Sequence, residues 1–380
     1  MKTAISSGVS MIGVSVFGGL MMSGGAYAAE VKIMNASKAA IDYANVRPLP
    51  LPQTPQSPAG LISGLTANAP ASSALPKWEK GAIGNGVLSP VTLPKSAASS
   101  PAAAGSSPEA PMQAGRSSHP FTTARADAAS IKVTTSYPFS AAGRLFFNIN
   151  GGTYVCSASL IKRGLMVTAA HCVAGFGTNK TYAGHAFVPA YSSGSAPFGV
   201  WAASKIFVSA SYLNGTSSCS VKGIVCGDDV AVIVLNPQSG AYPGTKTGWL
   251  GYGYDGAGYT NASAMITQIG YPVALDGGAL MERTDSLGYV DSVNAKNTVI
   301  GSQMTGGSSG GPWMVNYGIA PTASSGAPFG NSATANMVIG VTSWGYTDVS
   351  IKEQGASPFT SANIGALVST ACTAVPAACN

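Results

Sequence analysis

Apolar residues gather into short runs over roughly the last 240 residues and are thinly scattered before them. Arg144-Leu145-Phe146-Phe147-Asn148-Ile149 followed by Asn150-Gly151-Gly152 predicts a strand and a hairpin turn. The run from Tyr154 to Ile161 predicts the next strand, and Leu165-Met166-Val167-Thr168 a third. Val230-Ala231-Val232-Ile233-Val234-Leu235 is apolar without alternation, the pattern of a strand buried on both faces. Met337 to Trp344 repeats that pattern late in the chain. Amphipathic helical spacing is scarce, with a short terminal helix over Ala362 to Thr370 as the exception. Short strands at this spacing predict an all-β sandwich or barrel.

The first third has a different texture. Lys2, an apolar and small-residue stretch from about Val9 to Met22, and Ala26-Tyr27-Ala28 form a secretory signal peptide over 1–28. Gly and Ser interrupt that stretch, which leaves it short of a spanning helix. Residues 29–130 are expected to be a low-complexity pro-segment or linker. Leu49-Pro50-Leu51-Pro52-Gln53-Thr54-Pro55 is Pro-rich and extended, and Ser96 to Gly105 is built of small residues. Such composition buries too little apolar surface to offset its chain entropy. The remaining segment, 131–380, is long enough for one domain with a sizeable core.

The net charge of +6 changes little. Beyond Lys132 there are 10 Lys and Arg against 9 Asp and Glu. The excess is spread through the low-complexity region without a basic stripe, which excludes a nucleic-acid reading. The six cysteines fall into close pairs: Cys156 with Cys172, Cys219 with Cys226, Cys372 with Cys379. Six cysteines allow 15 pairings, and proximity alone proposes the second and third pairs. A zinc site is disfavoured. No Cys-x-x-Cys occurs, and His171 is the only histidine close to a cysteine. His119 and His185 have no chemical context, and His185 reads as structural.

Three motifs carry chemistry. Thr168-Ala169-Ala170-His171-Cys172, Asp228-Asp229-Val230-Ala231-Val232 and Gly307-Ser308-Ser309-Gly310-Gly311-Pro312 occur in that order. A histidine can take the serine hydroxyl proton while an aspartate fixes its tautomer and stabilises the imidazolium. Each motif alone is weak, but the three in this order are specific. On these motifs the chain resembles the chymotrypsin-fold (trypsin-like) serine endopeptidases, of bacterial secreted type, from about Tyr137 onward.

The resemblance implies two six-stranded antiparallel β-barrels with the active site between them. It implies catalytic His171, Asp229 and Ser309, with Asp228 and Ser308 as the rival neighbours. Amides of Gly307 and Ser309 would form the oxyanion hole. Ser343 matches a serine that helps hold the aspartate. Ser343-Trp344-Gly345 matches a wall that pairs with substrate backbone, and Gly345 would leave the pocket mouth open. The resemblance also supports a Cys156–Cys172 bridge. Two departures matter. Ser308 replaces an aspartate that many relatives use to pair with a new N-terminal ammonium. Gln303, at the base of the specificity pocket, and Thr342 support neither basic nor acidic P1 specificity, which leaves a neutral or apolar side chain. The function expected is a secreted, cofactor-free endopeptidase, extracellular or periplasmic. It would be made as a zymogen and act as a monomer on polypeptides, without nucleic-acid or membrane partners. The rival is a non-catalytic binding protein on the same fold.

Overall fold

In a computed structural model of the chain, the described residues are 30–49, 53–54, 77–79, 81–82, 84, 91–93, 120–128, 130–217, 227–259, 262–290, 297–318, 334–346 and 351–380. The signal-peptide region and the Cys219/Cys226 pair lie outside them.

Six strands build the first barrel: β1 (Ala142–Ile149), β2 (Gly152–Leu160), β3 (Leu165–Thr168), β4 (Ala183–Pro189), β5 (Trp201–Ser209) and β6 (Ala231–Leu235). Their pairing runs β5-β4-β1-β2-β3-β6 and closes through β5 with β6. The predicted hairpin joins β1 to β2. Asn150 and Gly151 both have positive φ (49° and 81°), the requirement of a two-residue primed turn. All five residues of β6 are buried, as an unbroken Ala-Val-Ile-Val-Leu run demands.

The second barrel repeats the plan with β7 (Ser263–Gly270), β8 (Glu282–Val290), β9 (Thr298–Gly301), β10 (Pro312–Val315), β11 (Met337–Tyr346) and β12 (Glu353–Pro358). The order β10-β7-β8-β9-β12-β11 closes through β10 with β11. The fold is therefore all-β, with two closed six-stranded antiparallel barrels. The terminal helix α1 covers Ala366–Ala374, entered through a turn capped reciprocally by Thr360 and Asn363. It ends later than the sequence pattern predicts.

Parts of 29–130 join the sheets. Val31–Asn35 adds to β5, and Val46–Pro48 lies parallel to β2. Gln53–Thr54 lies parallel to β11, and Phe121–Arg125 pairs with β8. Backbone pairing along open sheet edges needs no apolar side-chain pattern, so the sequence carries little sign of it. Most of the stretches quoted above as low in complexity, within 49–55 and 96–105, lie outside the described residues.

His185 on β4 is buried, stacked on Phe147 with ring centroids 5.4 Å apart. Its Nε2 lies 3.3 Å from the Cys172 carbonyl oxygen. Burial pushes its pKa down to about 4. The unfolded chain therefore binds more protons than the folded one between about pH 6.5 and 4. Stability is retained above that window and lost as pH falls through it, by up to about 3 kcal/mol. His185→Phe should flatten this loss in urea titrations at pH 7 and pH 4. Equal losses in both proteins would contradict the assignment.

Candidate active site

The turn after β3 carries His171, and the bridge Cys156–Cys172 ties that turn to β2. A second bridge joins Cys372 and Cys379. The sulfurs of Cys156 and Cys172 come within 4.8 Å of a ring nitrogen of His171. They are bonded to each other and offer no thiolate to a metal.

Asp229 precedes β6 and is 3% exposed. Its Oδ1 accepts the His171 backbone N–H at 2.8 Å, and its Oδ2 lies 2.8 Å from His171 Nδ1. Ser343 on β11 donates its hydroxyl to the same Oδ2. The carboxylate is thus held by both barrels. Asp228 faces elsewhere and accepts a hydrogen bond from Ser211 Oγ at 2.7 Å. A carboxylate acceptor at Nδ1 selects the tautomer with hydrogen there and the lone pair on Nε2. That Nε2 is buried and makes no hydrogen bond among the described residues.

Ser309 lies in the turn before β10. Its backbone oxygen accepts from Ser157 N at 2.7 Å, and Gly310 N donates to Thr342 O at 2.8 Å. The turn is thereby pinned to β2 and to β11, at the seam of the barrels. Gly310 has φ of +76°, and a Cβ there would stand 2.0 Å from Thr168 Oγ1. Gly307 has φ of +98°, and a Cβ would stand 2.5 Å from Tyr271 O. Only glycine meets both demands, a left-handed backbone and close approach to neighbouring groups. The Ser309 hydroxyl is buried and makes no hydrogen bond among the described residues. Ser308 differs: its hydroxyl donates to Thr305 O at 2.7 Å and lies 3.3 Å from Gln354 Nε2. The amides of Gly307 and Ser309 donate to no group among the described residues, which leaves both available to a ligand oxygen.

A family model described as Trypsin matches residues 131–363. The chain belongs to the trypsin family. Its trypsin-like domain is similar to the thermostable serine protease AL20 from an extremophilic microorganism. The identity is 24% over 62% of this chain and 98% of that one, with a TM-score of 0.48. It is also similar to the protease Anisep from Arthrobacter nicotinovorans, at 25% identity over 63% and 95% with a TM-score of 0.48. A Glu endopeptidase in complex with MPD is similar at 17% identity over 65% and 95%, TM-score 0.47. Among curated proteins none matches the chain in sequence. A trypsin-like serine protease domain has polypeptide substrates, and no helix among the described residues is long and apolar enough to cross a membrane.

The residues expected from the resemblance to set specificity in this trypsin-family domain divide. Gln303 is half-buried, and its side chain makes no hydrogen bond among the described residues. Trp344 is buried, with its indole against Gly355: a Cβ at 355 would lie 1.9 Å from the ring. Gly345 pairs with Gln354 on one side and with Gln53 on the other. The backbone edge at Gly345 is therefore occupied by this chain's own backbone. Sequence reading also missed a polar network beneath Ser308. Gln268 Nε2 donates to Thr342 Oγ1 (2.8 Å) and Gln354 Oε1 (2.6 Å), and its Oε1 accepts from Ser302 Oγ (2.8 Å). Buried amides and hydroxyls so close in space but far apart in sequence leave no local motif.

Proposed function

We propose that the protein is a secreted serine endopeptidase that cleaves peptide bonds through an acyl-enzyme formed on Ser309. One observation carries the reading. Asp229 binds both the backbone and Nδ1 of His171, while His171 Nε2 and the Ser309 hydroxyl are buried and make no hydrogen bond, to each other or to any other group, among the described residues. A binding protein on this fold has no use for that arrangement.

In the proposed cycle, His171 Nε2 takes the Ser309 proton as the hydroxyl oxygen attacks the scissile carbonyl carbon. The Gly307 and Ser309 amides receive the developing oxyanion. Asp229 stabilises the imidazolium, and His171 then returns the proton to the leaving amine. Water repeats the sequence on the ester and frees the acid. Neither metal nor organic cofactor enters these steps. The signal-like segment 1–28 and the disulfides support export from the cytoplasm as a precursor. Gln303 supports a neutral or apolar P1 residue.

Mass spectrometry of peptides released from a mixed proteome by the purified protein, after its N-terminal region has been removed by proteolysis, tests the reading. The expected result is internal cleavage clustered after uncharged residues. Release after basic or acidic residues alone would overturn the specificity, and no release at all would overturn the activity.

A further inference from the structure

Two pieces of the N-terminal region pair with strands that also hold the proposed site, one on each barrel. Val46–Pro48 runs parallel to β2, with Val46 beside Thr153, Arg47 beside Tyr154 and Pro48 beside Val155. Leu49 N then donates to Val155 O at 3.3 Å. Two residues further along the same strand, Ser157 N donates to the Ser309 carbonyl. The paired segment therefore stops about 7 Å of strand short of the Ser309 contact. On the second barrel Gln53 lies beside Gly345 and Thr54 beside Tyr346, again in parallel. Gly345 stands two residues beyond Ser343, whose hydroxyl holds Asp229.

The two pieces thus occupy edges of the strands that contact Ser309 and Asp229. Only Pro50, Leu51 and Pro52 separate them in sequence, so Leu49 and Gln53 are at most about 14 Å apart. A peptide substrate needs both edges, because a strand-like ligand gains its affinity from main-chain hydrogen bonds to open edges. The same hydrogen-bonding groups cannot serve the N-terminal region and a substrate at once.

We infer that the paired pieces 46–49 and 53–54 are an intramolecular ligand of the substrate cleft and hold the intact chain inactive. This inference rests on the protease reading given above. The occupant suits a held ligand rather than a cleaved one. Prolines at 48, 50 and 52 make every second peptide bond a tertiary amide and remove donors that would recruit a further strand. Each piece runs parallel to the strand it joins. Activation would require displacement or cutting of this segment. That supplies a device which Ser308, lacking a carboxylate, cannot supply through a new N-terminal ammonium.

The test uses the full-length chain and a double variant, Leu49→Pro with Gln53→Pro, which removes two donors from the occupant and touches neither barrel's residues. Two quantities are read: the rate of labelling by a fluorophosphonate, and amide hydrogen exchange in peptides covering 153–157 and 343–346. The variant should label about tenfold faster or more, because the rate follows the fraction of molecules with an open cleft. Its exchange in both peptides should rise as well. A synthetic peptide spanning 44–56, added in excess, should slow labelling of the variant again. Equal labelling of both chains, with exchange raised only in the variant, would overturn inhibition and leave the protease reading intact. Equal exchange in both would show that the edges are not held by 46–49 and 53–54, which also overturns the inference. No labelling in either chain, nor after proteolytic removal of the N-terminal region, would overturn the protease reading and this inference with it.

Discussion

Ser309→Ala lowers kcat by about a millionfold if the hydroxyl is the nucleophile, the scale seen when one member of a cooperating triad is lost. The substitution removes a single oxygen that makes no hydrogen bond among the described residues. The backbone bonds of Ser309 O and Gly310 N remain, so melting temperature and circular dichroism should match the parent. Ser308→Ala is the internal control. It breaks the bond to Thr305 O and leaves Gln354 with one acceptor fewer. Its expected cost is about 1 kcal/mol of stability with activity largely kept. Both variants should be compared in a cleaved, activated form, so that the N-terminal region does not mask the difference. A loss in Ser308→Ala as large as in Ser309→Ala would remove the basis for choosing between the neighbours.

Asp229→Asn should lower kcat by about ten-thousandfold while leaving the fold intact. The physical reason is the tautomer. Asp229 Oδ2 faces His171 Nδ1, and Oδ1 is satisfied by the His171 backbone N–H. An asparagine that keeps its oxygen toward the backbone N–H must aim its NH2 at Nδ1. The ring would then carry its proton on Nε2 and could not accept the one from Ser309. Asp228→Asn should leave kcat close to the parent value, since Asp228 is engaged with Ser211. Steady-state kinetics on a peptide substrate, normalised by titration of reactive serine, separate the two. Similar rates for Asp229→Asn and its parent would show that the carboxylate does not set the ring's protonation.

The parts of this molecule that could be read from sequence are those whose physics is local. Asn150-Gly151 announces a primed turn because few other pairs accept positive φ twice in succession. Val230 to Leu235 announces a buried strand through its unbroken apolar run. The glycines around Ser309 are legible because a side chain at 307 or 310 would collide with backbone or with Thr168. Ser343 was found only through resemblance, since its partner Asp229 is 114 residues away.

What escaped sequence reading is held by backbone or by contacts between distant segments. Val46–Pro48 and Gln53–Thr54 pair through main-chain groups rather than through a side-chain pattern, so local sequence carries little sign of the pairing. The burial of Trp344 against Gly355 depends on a register between β11 and β12 that no local pattern encodes. The Gln268 network joins Ser302, Thr342 and Gln354, again across strands.

The central claim is that Ser309 is the nucleophile of a working protease. Its most direct test is to react the activated protein with a fluorophosphonate and map the adduct by tandem mass spectrometry of the peptide containing both serines. The account predicts one phosphonate per chain, on Ser309, formed in step with the loss of peptidase activity and absent from Ser309→Ala. An adduct on Ser308, or full peptidase activity with no adduct on either serine, would contradict it.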